Sequence, residues 1–249
     1  MKKDLDSFAQ LTFNGKTYDL PIISPTVGPD VLDIRKLYSE ANVFTYDPGF
    51  TSTAACDSKI TYIDGDEGIL LYRGYPIEQL AEKSSYLEVC YLLLFGELPT
   101  PEEFARFSAK IRQHSMVHEG MRTMISGYRP DAHPMGMLVG LVGSLSTFYH
   151  DSLDINDPEH RVLSAYRIIA KMPTIAADVY KHHLGQPFNY PSNELGYVNN
   201  FMRMMYAVPA EPYQVSPTAV KALELMMILH ADHEQNASTS TVRLAGSSG

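Results

Sequence analysis

Two histidines three residues apart, followed by a run of hydroxyl side chains, are the most chemically informative feature of the sequence. Steps of three and four residues put side chains on one helical face, so His230 and His233 continue the apolar face of the helix before them. That apolar stripe consists of Leu223, Met226 and Met227. A histidine on such a face needs partners for its ring nitrogens, which predicts either a pair of core histidines bonded to backbone or a functional site.

Three kinds of functional site fit these residues. A metal site would combine the two imidazoles with Asp232 or Glu234, but no third ligand stands at a spacing typical of zinc sites. A protease-like site is disfavoured because the segment is not H-E-x-x-H. The third is an anion-binding pocket, in which imidazoles at the negative end of a helix donate to a substrate carboxylate or carbonyl. Further donors for that pocket would be Asn236 and Ser238.

Two other segments have structural interpretations that involve no ligand. The hydroxyl-rich stretch 236–243 also fits ordinary capping of a following helix. A phosphate-binding loop is not indicated, because Gly136, Gly140 and Gly143 lie on an apolar helix with no strand before them. Their spacing favours close packing of that helix.

Residues 1–75 are predicted to form a β-rich N-terminal region. The dipeptide Asn14-Gly15 separates two short strand-like runs and predicts a hairpin, since both residues tolerate positive φ. A second strand pair is predicted on either side of the turn at residues 64–67. A short helix over Asp30–Ser39 interrupts the long connection between the two pairs.

Residues 76–249 show helical spacing of apolar side chains, which predicts a large multi-helix domain. Two helix starts are well marked: Ser85 begins a helix that Gly96 ends, and Thr100 precedes a proline in the first turn of another. Pro173 is predicted to end a helix and separate it from the next. The predicted helices cover 76–83, 85–95, 100–114, 134–148, 157–173, 175–182, 194–206 and 217–230. The fold class is therefore mainly α, with a small β-containing N-terminal part.

The composition of the 249 residues excludes several functional classes. Hydrophobic residues make up 45%, and 20 Lys and Arg against 29 Asp and Glu give a net charge of −9. This acidic balance argues against nucleic-acid partners and an anionic membrane surface, although a local basic pocket stays compatible with it. Two cysteines are too few for a disulfide framework, and no apolar run reaches the ~20 residues of a membrane span. We expect a cytoplasmic location, since no targeting segment is visible.

The stretch Leu229–Arg243, LHADHEQNASTSTVR, resembles the corresponding part of citrate synthases of the bacterial hexameric, NADH-sensitive type. Three further segments carry the same resemblance: Leu71–Leu80, Leu92–Glu103 and Phe148–Asp151. The resemblance covers nearly the whole chain and corresponds to the N-terminal portion of that family. It implies a small β-containing part followed by a multi-helix citrate-synthase-like domain that is C-terminally truncated.

The resemblance implies the condensation of acetyl-CoA with oxaloacetate and water to give citrate and CoA. In this family an Asp removes a methyl proton from the thioester, one His stabilises the enol and another polarises the oxaloacetate carbonyl. The resemblance assigns oxaloacetate binding to His233 and Asn236. It assigns support of the enol-stabilising His to Ser238, and a structural role to His230. It implies neither a metal nor a resident cofactor, acetyl-CoA being a substrate.

The acid–base residues of the family belong to segments expected to follow Gly249. No catalytic residue is therefore expected within the chain, and Asp232 does not occupy the position of the family's base. We expect the 249-residue piece to be an incomplete enzyme without synthase activity of its own. The resemblance implies a homo-oligomer, a dimer or hexamer, for the complete protein.

The resemblance also implies an allosteric NADH site, with NADH as an inhibitor. Its positions here are Gln113, His114, Ser115, Tyr149, Arg167 and Lys171, with Gln113 standing where an Arg is common. Arg167 and Lys171 are four residues apart on one predicted helix, so both can reach a phosphate from the same face. A solvated basic face is the alternative interpretation.

Three other functions stay open at the level of sequence. The first is 2-methylcitrate synthase, which takes propionyl-CoA instead of acetyl-CoA. The second is a non-catalytic helical assembly module whose glycine-spaced helix packs against a copy of itself. The third is a metal-dependent hydrolase that uses His230 and His233.

Overall fold

A computed structural model describes residues 7–247, and the chain divides into two compact units, Met1–Tyr62 and Ile63–Gly249. In the first unit, β1 (Phe8–Phe13) and β2 (Lys16–Ile23) form the predicted antiparallel hairpin. Asn14 and Gly15 make its turn with φ of 51° and 75°, the left-handed region that this dipeptide favours.

The helix predicted over Asp30–Ser39 is wrong in its bounds. Val31–Leu32 forms a short strand, β3, which pairs antiparallel with Ile22–Ile23 at the end of β2. Helix α1 begins only afterwards and covers Leu37–Ala41. The backbone of this segment completes the sheet, and that long-range pairing outweighs the local helical spacing.

A second three-stranded sheet has the order β4-β5-β6 and leads into the helical part. Its strands are β4 (Thr61–Asp64), which contains the boundary between the units, β5 (Ile69–Tyr72) and β6 (Tyr75–Pro76). The first two strands lie where the second predicted pair places them. The turn between β5 and β6 consists of Arg73 and Gly74, both with positive φ.

The second unit is built mainly from helices, which confirms the mainly α fold class. They are α2 (Ile77–Lys83), α3 (Tyr86–Phe95), α4 (Pro101–Gln113), α5 (Glu119–Ser126), α6 (Pro134–Phe148), α7 (Pro158–Leu184), α8 (Tyr197–Tyr206), α9 (Pro217–Leu229) and α10 (Ala237–Gly246). A 3-10 turn, His150–Ser152, precedes α7. None of the helices in residues 7–247 is both long and apolar enough to cross a membrane.

The two helix starts marked in the sequence are confirmed. Ser85 and Thr100 each form a capping box, in which the hydroxyl accepts from the backbone of Glu88 or Glu103 and that glutamate accepts in return. Gly96 ends α3 with φ of 98°, a conformation that suits a residue without Cβ.

Pro173 does not end a helix, so the two helices predicted around it are one. Helix α7 has 27 residues and continues without a break through Pro173. A proline cannot donate a hydrogen bond to the carbonyl four residues earlier, which ordinarily breaks a helix. Here the hydroxyl of Tyr197, on α8, donates to that carbonyl, which belongs to Ile169.

Helix α7 carries a buried polar stripe along one face. Lys171, Thr174, Asp178 and Lys181 are each less than 5% exposed and follow one another at steps of three and four residues. Their partners lie on segments that surround the helix. The Lys171, Thr174 and Lys181 side chains donate to backbone carbonyls, and Asp178 accepts from Arg122 of α5. Helix α7 thus fixes the connections around it through hydrogen bonds as well as apolar packing.

Three apolar clusters form the core of the second unit. The largest joins α5, α6 and α7 and includes Met121, Ile125, Leu141 and Ile175. A second joins the β5 strand to α2, α3 and α9, and a third joins α3, α4 and α7. Of the three glycines of α6, only Gly140 lies where a Cβ would collide with another described residue, at the hydroxyl of Tyr128. The close packing predicted from all three glycines is therefore found at one of them.

Candidate functional site

The two histidines lie on the loop that joins α9 to α10. Helix α9 ends at Leu229, and His230 occupies its C-terminal cap with its ring Nδ1 at 2.7 Å from the Met226 carbonyl oxygen. His233 lies three residues further, outside the helix. Both histidines are exposed, so the interpretation as a pair of core histidines is wrong.

The apolar stripe predicted to lead to the histidines is also wrong. Met226 is 57% exposed, whereas Ile228 is fully buried against the cluster of β5, α2 and α3. Apolar residues occupy most positions of α9, so their spacing does not select one buried face.

Tyr72, at the end of β5, holds the beginning of this loop. Its side chain is fully buried, and its hydroxyl lies 3.0 Å from the Asp232 carbonyl oxygen. The carbonyl oxygens of Ile228 and Leu229 lie 3.3 and 3.4 Å from the same hydroxyl. The backbone N–H of Asp232 donates to it at 3.3 Å. Burial raises the pKa of the Tyr72 phenol, so it stays a protonated donor at neutral pH.

Three further contacts hold the loop on the other side of His233. The backbone N–H of Glu234, which has φ of 58°, donates to Asp232 Oδ2 at 3.1 Å. Glu234 Oε1 accepts from the backbone N–H of Ile63 at 3.2 Å. Asn236 Oδ1 accepts from the backbone N–H of Thr239 at 2.8 Å and caps α10. The capping interpretation of the hydroxyl-rich stretch is therefore confirmed for Asn236.

His233 projects from this fixed loop as an open imidazole. Its ring forms no hydrogen bond with another residue of the described range 7–247, and Ser238 is exposed on the first turn of α10. Within the same range, no group of three or more His, Cys, Asp or Glu side chains is placed to hold a metal ion. The loop therefore offers a donor for a ligand carbonyl or carboxylate, next to an amide whose oxygen is already used in capping.

A second predicted cluster lies where the α4–α5 connection crosses α7. Lys171 Nζ donates to the carbonyl oxygens of His114 and Met116, at 2.7 and 2.6 Å, and stands 4.5 Å above the centre of the Tyr149 ring. Burial lowers the pKa of Lys171 to about 8. Lys171 is 3% exposed, so the alternative of a solvated basic face is wrong for this residue. Ser115 lies between His114 and Met116 in the chain, and its own carbonyl accepts from Thr174. Four of the predicted NADH positions are thus brought together: His114, Ser115, Tyr149 and Lys171.

Arg167 completes this cluster but is already engaged by an anion. Its two terminal nitrogens bind both carboxylate oxygens of Asp151 at 2.6 and 2.8 Å, and one also donates to Ser152 Oγ. This pairing lowers the pKa of Asp151 to about 2. The guanidinium stands 5.0 Å from the centre of the Tyr149 ring. Lys171 and Arg167 therefore flank one aromatic ring, with Asp151 in the position where an external anion would meet the guanidinium.

Comparison with known proteins identifies the family. The family model described as citrate synthase, C-terminal domain, matches residues 49–249. The chain belongs to the citrate synthase family. The solved citrate synthase of Pyrobaculum aerophilum is 30% identical with a TM-score of 0.69, over 94% of this chain and 53% of that one. The citrate synthase of Thermotoga maritima MSB8 is 28% identical with a TM-score of 0.61, over 78% and 49%.

A third citrate synthase shares the fold at lower identity. It comes from the archaeon Thermoplasma acidophilum and was solved as a ternary complex with carboxymethyl coenzyme A and oxaloacetate. It is 23% identical with a TM-score of 0.69, over 76% of this chain and 48% of that one. The present chain thus spans about half the length of the citrate synthases that it matches.

Several residues shape the two predicted sites through contacts that were not predicted from the sequence. Tyr72 and Glu234 fix the His233 loop, and Asp151 and Ser152 engage Arg167. Tyr72 and Asp232 are 160 positions apart, so no local spacing links them. The signal available in the sequence was that Tyr72, Glu234 and Asp151 each lie in a segment that carried the family resemblance.

Proposed function

We propose that the complete protein condenses acetyl-CoA with oxaloacetate and water to give citrate and CoA. In this proposal the present chain supplies the oxaloacetate-binding groups His233 and Asn236. The observation that carries it is the open imidazole of His233 on a loop fixed at both sides. A ring N–H in this position can donate to the oxaloacetate carbonyl or a carboxylate, and membership of the citrate synthase family supports that ligand.

Acid–base chemistry is not assigned to the present chain. The condensation needs a base that takes a proton from the thioester methyl group and a donor that stabilises the enol. The resemblance gives both roles to residues outside the 249-residue sequence. We therefore expect the chain alone to bind oxaloacetate and to form no citrate from acetyl-CoA.

Calorimetric titration of the purified chain with oxaloacetate tests the binding part. His233→Gln removes the imidazole and should weaken binding by a factor of ten or more, the range of a hydrogen bond to a charged group. His160→Gln, at a partly exposed histidine near the start of α7, is the matched control and should leave the affinity unchanged. Equal affinities for the three proteins would contradict the assignment of His233.

The catalytic part is tested on the complete protein with two thioesters. Acetyl-CoA and propionyl-CoA, each offered with oxaloacetate, separate a citrate synthase from a 2-methylcitrate synthase. The proposal expects the higher kcat/KM with acetyl-CoA.

We further propose that the protein is of the NADH-sensitive type and that NADH binds at the cluster of His114, Ser115, Tyr149, Arg167 and Lys171. Two cationic side chains, Arg167 and Lys171, lie against the ring of Tyr149. The cations suit a phosphate and the aromatic ring suits a flat base, and NADH carries both. A phosphate that uses the Arg167 fork must displace Asp151. Asp151→Asn should therefore tighten NADH binding.

NADH fluorescence titration at low salt tests this site. Arg167→Ala should weaken binding at least tenfold, since it removes a bidentate donor. Arg161→Ala is the control, because Arg161 lies six residues earlier on α7 and donates to the Ile155 carbonyl instead. An affinity that is insensitive to Arg167→Ala and Asp151→Asn would reject the site.

We also propose that the complete protein is a homo-oligomer. Apolar side chains of α6 support this, because Met135 and Val139 are 59% and 72% exposed. Light scattering coupled to size exclusion tests the proposal: a monomer at micromolar concentration would reject it.

A further inference from the structure

Tyr72 joins the hydrophobic core of the second unit to the loop that carries His233. Its ring is packed in the cluster that includes Leu80, Leu92 and Ile228, where it is fully buried. Its hydroxyl emerges from that cluster at the C-terminal end of α9. One side chain therefore contacts both the rigid interior and the start of the loop.

The contacts of the hydroxyl act on the backbone that precedes His233. The last carbonyls of a helix lack intrahelical donors, and the Tyr72 hydroxyl lies within 3.4 Å of those of Ile228 and Leu229. Its shortest contact, 3.0 Å, is to the carbonyl oxygen of Asp232. That carbonyl belongs to the peptide unit that joins Asp232 to His233. Because a peptide unit is planar, fixing its oxygen also fixes the direction in which the His233 backbone leaves it.

The backbone N–H of Asp232 donates to the same hydroxyl. The backbone N–H and C=O of the residue before His233 therefore both contact one buried oxygen. His233 itself is exposed. The backbone therefore sets the direction of the His233 Cα–Cβ bond, from which the ring takes its rotamer.

We propose that Tyr72 is a positioning residue that orients His233 for its ligand through the Asp232 peptide unit. The part of this inference that concerns oxaloacetate rests on the proposed function, whereas the orientation of His233 does not. Loss of the hydroxyl should let the Asp232–His233 peptide unit rotate. We expect the affinity for oxaloacetate to fall by a factor on the order of 5–10, which corresponds to one hydrogen bond.

Three variants separate positioning from stability. Tyr72→Phe removes the hydroxyl and keeps the ring in the core. Tyr75→Phe is the matched control, since the Tyr75 hydroxyl donates to Oε2 of the exposed Glu97, just after α3, at 3.2 Å. Leu92→Val shortens an apolar side chain of the same core cluster and removes no hydrogen bond of the loop.

The measurement is NMR of the 249-residue chain labelled with ¹⁵N-histidine. His233→Gln assigns the His233 backbone and ring signals. In the absence of ligand, Tyr72→Phe should shift the His233 amide signal. Tyr75→Phe and Leu92→Val should leave it unchanged, although Leu92→Val lowers the melting temperature. Replacement of Tyr72 by 3,5-difluorotyrosine, which keeps the ring and changes the strength of the hydroxyl as a donor, should shift the same amide without loss of folding.

The two hypotheses fail in different ways. If the unaltered chain does not bind oxaloacetate, the assignment of oxaloacetate binding to this chain fails, while the His233 amide signals still decide the positioning role. If Tyr72→Phe and the difluorotyrosine variant both leave the His233 signals unchanged, Tyr72 does not orient His233. A shift of equal size in Leu92→Val would also overturn the inference, because loosening of the core alone would then suffice.

Discussion

The Tyr197 hydroxyl donates to the Ile169 carbonyl oxygen at 2.7 Å and supplies the hydrogen bond that Pro173 cannot make. Ile169 stands four residues before the proline, where the missing N–H would have pointed. Tyr197 lies on α8, and burial raises the pKa of its phenol, which keeps the hydroxyl protonated as a donor. A partner from another helix thus lets α7 continue through a proline.

A double-mutant cycle measures this relationship. Tyr197→Phe leaves a partly buried carbonyl without its donor and should lower the free energy of unfolding by ~1–3 kcal/mol. In the Pro173→Ala background the new backbone N–H can donate to Ile169, so the same change should have a clearly smaller effect. Denaturant unfolding of the four proteins gives the coupling energy, for which we expect at least ~0.5 kcal/mol. Additive effects would mean that the hydroxyl does not replace the missing donor.

The sequence predicted the elements whose signals are local. Asn14-Gly15 specifies its own turn, and the capping boxes at Ser85 and Thr100 need only residues three positions apart. Pro173 misled the prediction because the residue that compensates for it is 24 positions away, on another helix. Local rules cannot see such a partner.

The candidate site shows the same division. The imidazoles, Asn236 and the hydroxyl run could be found from residue types and from the family resemblance. The residues that fix their geometry could not, since Tyr72 and Asp232 meet only in the folded chain. The buried face of α9 was equally hidden, because an apolar side chain stands at Met226 as well as at Ile228. Tertiary packing decides between faces that periodicity leaves equivalent.

The buried carboxyl of Asp178 should make stability depend on pH. Its pKa is raised to about 6 by burial, against the opposing influence of Arg122 at 3.2 Å. Between its ordinary pKa of 3.8 and about 6, the folded chain holds a proton that the unfolded chain releases. The contribution of this group to stability is therefore present at low pH and is lost as pH rises through 6. The loss is on the order of 3 kcal/mol.

Asp178→Asn isolates this effect from the other titrating groups. As pH rises from 4 to 7, the free energy of unfolding of the unaltered chain should fall relative to that of Asp178→Asn, because the asparagine does not titrate. Asp131→Asn is the control, because the exposed Asp131 pairs with Arg129 and its pKa is lowered, not raised. A difference that grows in favour of the unaltered chain over this range would show that the Arg122 pair, rather than burial, controls Asp178.

The three glycines of α6 should respond differently to alanine. A Cβ at Gly136 or Gly143 meets nothing within 4 Å among the described residues. Alanine at either position should raise the free energy of unfolding by ~0.5–1 kcal/mol, because it restricts the unfolded chain. A Cβ at Gly140 collides with the Tyr128 hydroxyl, so Gly140→Ala should lack this gain. Thermal unfolding should show the gain return in Gly140→Ala combined with Tyr128→Phe; its continued absence would place the obstacle elsewhere.

Two threonines with the same kind of hydrogen bond should differ in what that bond contributes. Thr174 Oγ1 donates to the Ser115 carbonyl oxygen at 2.7 Å inside the protein, where Thr174 is fully buried. Thr147 Oγ1 donates to the Ser144 carbonyl oxygen at 2.7 Å on the exposed side of α6. Thr174→Val leaves the Ser115 carbonyl without a donor in the interior and should lower the free energy of unfolding by ~1–3 kcal/mol. Thr147→Val should change it by less than ~0.5 kcal/mol, because water replaces the hydroxyl. Urea unfolding compares the two directly, and equal losses would show that Thr174 contributes no more than a surface hydroxyl to holding the α4–α5 connection on α7.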